Sequence, residues 1–397
     1  MNGLKLSSGK SSAVNVQNKS VLYVHLPDGT ENYISDSESQ SDESYYPDGV
    51  LAGDEKRNGA LYSKGSVVLS GGGLFQLDGK KKHGVSVKSH LTVRPGVTIV
   101  VNNAADNCFK ADGITVLGGY IWAKTSADAG KCLSSDSDVT VQGGRMKLYT
   151  AGGSVYEEDE KDTSSPAGIK ADGEIIIGGG VLNIQVTGKS DGSEGLESKS
   201  GITVNGGRIF AFSDNNDGID SNGKLLINGG LVIASGSGTP EEGFDCDRSQ
   251  NFIVTGGTLI GTGGAAISTS TSSKQRTVIY NGVNARKGEL FVIVDADGNP
   301  ILKYELPRTM SGMSLFFSSP ELKSGVTYTV YSGGTLDGNT ANWNGWFEDG
   351  LYTEGEILGS FESDNINTTV GQGNGHGGGG PGNGGPGNGG PGNGRWG

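Results

Sequence analysis

The sequence is poor in the residues that usually announce a mechanism. Its 397 residues include three cysteines and four histidines, and aromatics make up only 7 %. Three cysteines are too few, and odd in number, for a disulfide scaffold. So few imidazoles argue against a zinc or copper centre. No apolar run reaches the roughly 18 residues of a membrane-spanning helix. Positive charge is also short: 31 Lys and Arg stand against 44 Asp and Glu, a net charge of −13. That balance disfavours nucleic acid as a partner and favours cations, or a neutral surface met through a cation.

Glycine is what abounds, at 72 residues, more than twice the roughly 7 % average usage. Each glycine inside a helix costs about 1 kcal/mol, so long helices are excluded. Collagen is excluded as well, because the glycines do not recur at every third position. They recur instead as pairs behind β-rich triplets. Ile114-Thr115-Val116-Leu117-Gly118-Gly119, Val139-Thr140-Val141-Gln142-Gly143-Gly144 and Ile202-Thr203-Val204-Asn205-Gly206-Gly207 are examples, followed by Leu226-Ile227-Asn228-Gly229-Gly230 and Ile253-Val254-Thr255-Gly256-Gly257.

Upstream of each pair lies a second repeated element, aligned on one apolar residue: Leu61, Val85, Phe109, Leu133, Ile169, Leu196, Ile219, Phe244 and Ile267. The steps are 24, 24, 24, 36, 27, 23, 25 and 23 residues, and Val14 belongs to an earlier turn separated by a long insertion. The step of 36 holds the acidic insert Glu157 to Ser165, which should loop out. A period near 24 with three short strands per turn predicts an all-β fold, a right-handed parallel β-helix, over residues 1–275. From about Arg276 the period is lost. Val278-Ile279-Tyr280, Leu290 to Val294, Ile301 to Leu306, Ser314 to Phe317 and Tyr328 to Tyr331 read as conventional strands. They predict a small antiparallel domain over 276–370 that covers the open end of the helix. Residues 371–397 are a Gly/Pro/Asn-rich tail that should be disordered.

Alternation along a strand sets which residues share a face. The residue after each apolar position points outward: Tyr62, Ser86, Lys110, Ser134, Lys170, Glu197, Asp220 and Asp245. Two residues further on the column includes Asp112, Asp136, Asp172, Lys199 and Asp247. Between the two lies a column of small residues, Ser63, Val87, Ala111, Ser135, Ala171, Ser198, Ser221 and Cys246, which suits a narrow interior. Turns stacked about 4.8 Å apart would place Glu197, Asp220 and Asp245 in one carboxylate ladder, and Asp112, Asp136 and Asp172 in another. Like charges that close destabilise unless something sits between them. A hard cation with six to eight oxygen ligands fits, and Asp191, Glu194, Asp217, Glu241 and Asp247 add oxygens nearby. Taken singly, each Asp-Gly is also ordinary turn chemistry. The same stacking puts Cys108 and Cys132 on neighbouring turns, within disulfide range or as two buried thiols.

Three segments then carry a resemblance: Ile202-Thr203-Val204-Asn205-Gly206-Gly207, Asn216-Asp217-Gly218-Ile219-Asp220 and Leu26-Pro27-Asp28-Gly29-Thr30-Glu31-Asn32. In this order they resemble the clostridial cell-surface carbohydrate-binding β-helix family. Ser318-Ser319-Pro320-Glu321-Leu322-Lys323-Ser324-Gly325 with Tyr328-Thr329-Val330-Tyr331 resembles the domain that often follows it. The resemblance implies a polysaccharide-lyase-like fold, bound calcium, and cellulose or pectic acid as ligand. It also implies further turns before Leu26. No leader precedes Met1-Asn2-Gly3-Leu4, and the composition suits an exported protein, so an extracellular or cell-surface location after loss of a leader is expected.

Three functions compete. The first is a non-catalytic, monomeric, calcium-containing binder of polysaccharide. Tyr62, Tyr120 and Trp122 would stack on sugars beside Lys110 and Lys170, although packing alone also accounts for such aromatics. The second is a calcium-dependent polysaccharide lyase of the pectate type. It needs a base for the proton alpha to a uronate carboxylate, and Lys170 and Lys199 stand beside the acidic ladders. The third is a structural surface adhesin without glycan affinity.

Overall fold

The computed structural model describes residues 1–9, 11–38, 58–158, 161–188, 190, 192–338 and 342–371. The chain is all-β, with long parallel sheets. Each turn of the repeat contributes strands to three parallel ribbons in the same order. The first ribbon runs from Val14–Val16 and Gly59–Ser63 through Lys131–Ser135 and Glu194–Ser198 to Phe244–Cys246. The second runs from Leu22–Leu26 to Phe252–Val254. The long strands His83–Val93 and Phe109–Val116 belong to both, so the two ribbons form one 16-stranded sheet. The third ribbon starts at Lys5–Ser7 and reaches Thr258–Gly263 within a 13-stranded sheet.

The register follows the apolar column. Val14 pairs with Leu61, Leu61 with Val85, Val85 with Phe109, Phe109 with Leu133, and so on through Ile219 and Phe244. Ile267 does not continue it. Its segment lies outside the strands, and its backbone N–H donates to Glu242 Oε2 at 2.7 Å. The acidic insert leaves the ribbons as expected, but as the paired strands Val155–Glu157 and Asp162–Ser164 rather than as a plain loop.

The second glycine of each pair turns the corner. Gly207 and Gly230 have φ of +95° and +94°, and a Cβ on Gly230 would lie 2.7 Å from the carbonyl oxygen of Gly207 one turn earlier. Left-handed backbone and close approach together leave room for no other residue. The column of small residues is fully buried, and its serines do more than fit. Ser135 Oγ donates to the Asp112 carbonyl at 2.9 Å, Ser198 Oγ to Gly201 at 2.9 Å and Ser221 Oγ to Lys224 at 3.0 Å. Each hydroxyl therefore satisfies a carbonyl where the chain bends between ribbons. Cys108, Cys132 and Cys246 are buried free thiols.

Beyond residue 276 the pairing becomes antiparallel, except that Asn367–Val370 pairs in parallel with Thr277–Ala285. Met310–Ser318 adds to Thr258–Gly263, the last parallel strand of the third ribbon, and Thr277–Ala285 adds to Met310–Ser318. Phe316 lies 5.3 Å from Phe244 and 5.5 Å from Phe252, ring to ring, which closes the apolar core at that end. A six-stranded sheet that includes Leu290–Val294 and Thr327–Ser332 forms a second core. That core takes in Phe210, Leu231, Ile233 and Ile260 from the outer face of the third ribbon. The guanidinium of Arg308 stacks 4.4 Å from the Phe212 ring and donates to Ser235 Oγ at 3.1 Å, fixing this contact. The tail expected from 371 onward lies, apart from Gly371, outside the described residues.

Ser221→Leu overfills the interior and strips the Lys224 carbonyl of its donor. A loss of roughly 1–3 kcal/mol is expected in chemical denaturation. Melting of the variant at the parent temperature would contradict the register.

Candidate functional site

The outer face of the first ribbon is charged along its length, and the sign changes along it. A groove of about 690 Å³ runs over its earlier turns, lined among others by Lys82, Lys88, Lys110, Lys131, Lys170 and Lys199. The paired strands Val155–Glu157 and Asp162–Ser164 form part of its wall. Carboxylates dominate the later turns.

Strand pairing brings the first predicted ladder together: Glu197 lies beside Asp220, and Asp220 beside Asp245. Glu197 is 8 % exposed, while Asp220 and Asp245 are half-buried. Lys170 occupies the preceding rung and pairs with Glu197 Oε1. Burial works against the Lys170 ammonium, but Glu197 outweighs it and holds the lysine pKa above its ordinary value. The other oxygen, Glu197 Oε2, is buried without a hydrogen-bond partner among the described residues.

Glu194 and Asp217, expected only as nearby oxygens, belong to a further column that the spacing did not single out. Two residues before each apolar position stand Gly59, His83, Asn107, Lys131, Ala167, Glu194, Asp217 and Glu242, all buried at the ribbon edge. Four of these side chains, His83, Asn107, Asp217 and Glu242, accept backbone N–H groups of the next turn. His83 Nδ1 accepts from Asn107 at 3.3 Å, Asn107 Oδ1 from Lys131 at 2.8 Å, and Asp217 Oδ1 from Glu242 at 2.5 Å. The signal was available: these positions have inward parity, and an ionisable residue there has to be held by something.

Burial and crowding shift these groups. Burial, with the charges of Asp245, Glu241 and Asp220, pushes Asp217 up to about 9 against the hydrogen bond from Glu242. Burial, then Asp245 and Glu197, raises Asp220 to about 7. Burial and Asp245 raise Glu242 to about 8, and Glu194 also lies well above its usual range. Burial and Lys170 lower Lys131 to about 8; its Nζ donates to the Ala129 carbonyl at 2.8 Å and Ser164 Oγ at 2.6 Å. Glu241 and Asp247 belong to the same cluster by their effect on Asp217 and Asp220.

Other expectations need correction. The second ladder, Asp112, Asp136 and Asp172, is exposed, and two of its three charges are met by lysines. Asp136 pairs with Lys110, and Asp172 with Lys199 at 3.1 Å. Those ammonium groups remove the repulsion that called for a cation. Tyr62 is fully buried between Asn15 and Ser86, so its ring cannot stack on a sugar. Tyr120 and Trp122 lie on the third ribbon, away from Lys110 and Lys170 on the first. Asp191 lies outside the described residues.

The donor set of the later turns is all carboxylate oxygen, which suits a hard divalent ion. Among the described residues no group of three or more His, Cys, Asp or Glu side chains already stands as a metal cage. Side chains must therefore move to close around an ion.

With this geometry in place the family can be stated. The profile of a family described as carbohydrate-binding domain-containing protein matches residues 1–132 and again residues 114–211. These matches together cover residues 1–211 of 397, and the chain belongs to that family. No curated protein and no solved structure matches it. Among the described residues no helix is long and apolar enough to cross a membrane.

The raised carboxylates carry a sign for the metal-free chain. Their folded pKa values exceed the unfolded ones, near 4, so the stability they lend at low pH is lost as pH rises through about 7 to 9. Two groups act oppositely. Burial lowers His83 to about 4, so it adds stability up to about pH 6.5; the lowered Lys131 adds it above about 8. In chelator the melting temperature should therefore fall steadily between about pH 6.5 and 8, and Asp217→Asn should flatten that slope. A melting temperature constant across this window would mean that the cluster is ionised and solvated.

Proposed function

We propose that the chain is a non-catalytic polysaccharide-binding protein built as a right-handed parallel β-helix, with calcium held by the acidic cluster of its later turns. On this reading residues 1–275 form the binding unit, 276–370 cover its end, and the protein acts as a monomer outside the cell. One observation carries it: Glu194, Glu197, Asp217, Asp220, Glu242 and Asp245 crowd one edge, with Lys170 paired to Glu197 and Glu197 Oε2 buried without a hydrogen-bond partner among the described residues. A divalent ion would relieve that repulsion, and its remaining coordination positions could take sugar hydroxyls or a uronate carboxylate. Glu197, Asp220 and Asp245 would be the principal ligands, with Asp217, Glu194, Glu241 and Asp247 in reach after side-chain movement. The adjoining lysine-lined groove supplies length for an extended polymer, of the cellulose or polygalacturonate kind.

The binding reading is favoured over a lyase by the state of Lys170. Lys170 is paired with Glu197, which holds it as the ammonium, a form with no lone pair to take a proton. Absence of unsaturated uronide from polygalacturonate is the expected assay result; its appearance would establish the lyase. An adhesin without glycan affinity would retain no polysaccharide in pulldown with calcium present.

Calcium binding to the native state alone adds about 2.7 kcal/mol at a hundredfold excess over Kd. Chelator should lower the melting temperature, and calcium should restore it better than magnesium. Asp220→Asn should remove most of that response, whereas the exposed Asp349→Ala should leave it intact. Identical melting in chelator and in millimolar calcium would defeat the ion reading.

A further inference from the structure

The third ribbon carries a second surface feature that the acidic cluster does not explain. Three adjacent strands, Tyr120–Thr125, Arg145–Thr150 and Val181–Val186, are in strict register. Their outward residues form two rows: Trp122, Lys147, Asn183 and Lys124, Tyr149, Gln185. All six line one cleft of about 390 Å³, within the ~300–1,000 Å³ typical of small-ligand sites. The Trp122 ring is 40 % exposed, and the Lys124 ammonium sits 5.6 Å from the centre of the Tyr149 ring.

Both rows continue into aromatic residues that are already occupied. Beside Asn183 comes Phe210, buried in the C-terminal core, and beside Gln185 comes Phe212, covered by Arg308. The protein thus covers its aromatic rungs on one side and leaves Trp122 open on the other, with Tyr149 half-buried beside Lys124. Asn344 marks the edge of the cover, accepting a hydrogen bond from Asn183 Nδ2 at 2.9 Å.

The chemistry of the open part is specific. Trp122 offers a flat apolar face with an N–H at its rim. Gln185 offers an amide whose Nε2 donates to Asn183 Oδ1 only at 3.4 Å, while Asn183 Nδ2 is held by Asn344. Two lysines line the cleft and no carboxylate does, in a chain of net charge −13. Arg145, exposed next to Tyr120 in the register, extends the positive charge. An aromatic face beside an amide fits the ring of a pyranose, and the lysines fit an acidic group on it.

We propose that this cleft is a second saccharide site, which takes an anionic pyranose residue by stacking on Trp122 and direct ion pairing with Lys147 and Lys124, without a metal ion. Its location on a different ribbon from the acidic cluster makes the protein bivalent: one face would reach a polymer through a cation and the other would grip an acidic sugar directly. It stands apart from the calcium reading, because its residues include no acidic ligand.

The test uses the full chain in excess EDTA, titrated calorimetrically with trigalacturonate and, in parallel, with cellotriose. Trigalacturonate should bind saturably, and more weakly as salt is raised. Trp122→Ala and Lys147→Glu should each weaken it by about tenfold or more, while the exposed Asp349→Ala leaves it unchanged. Both substituted side chains are exposed, so unchanged melting verifies the fold of each variant. No binding in EDTA, equal binding of cellotriose, or full affinity in Trp122→Ala would each overturn the proposal. Failure of the calcium reading shows instead in melting temperature and leaves this titration untouched.

Discussion

Stacking in register is the constraint on which the rest of the structure depends. Every residue of one turn lies about 4.8 Å from its counterpart in the next, so the fold makes columns of whatever the repeat places at a position. Apolar columns become a continuous core from Val24 to Phe316. Glycine columns become corners, because only a residue without Cβ passes the carbonyl of the turn before it. The same rule applied to acidic residues compels carboxylates to share a face with their own kind, which no isolated turn would do.

That compulsion explains why two acidic ladders so alike in sequence end differently. Around Asp136 and Asp172 the neighbouring columns supply Lys110 and Lys199, and the charges cancel at an exposed surface where ion pairs contribute little. Around Asp220 the neighbours on the later side are Asp245 and Asp247, the face is partly buried, and Lys170 pairs directly with Glu197. Local composition is similar in the two places; the partner one turn away decides which one is left with uncompensated charge.

The C-terminal segment imposes a second selection. It uses Phe316 to seal the apolar interior beside Phe244 and Phe252, and it uses the outer face of the third ribbon as a floor for its own core. By covering Phe210 and Phe212 it leaves the aromatic and basic rungs at Trp122 and Lys147 as the open part of that face. The family membership, to carbohydrate-binding domain-containing proteins, rests on residues 1–211, which include this open part and the start of the acidic one.

The repeat itself was legible in the sequence: the period, the apolar column, the buried small residues and the partner of Val14 all follow from spacing, because a stacked turn tolerates few departures at those positions. The Glu197–Asp220–Asp245 ladder followed from the same arithmetic. Exposure did not. Tyr62 stands in an outward column yet is fully buried, since alternation tells which way a side chain points and not what lies over it. The column of His83, Asn107, Lys131, Glu194, Asp217 and Glu242 was hidden for the opposite reason. Parity assigns it to the interior, and only the bend of the chain at the ribbon edge brings His83, Asn107, Asp217 and Glu242 onto backbone N–H groups of the next turn. The sequence determined the columns, because periodicity is a property of the chain; the tertiary structure decided which of them are covered, paired or open, because that depends on neighbours far along it.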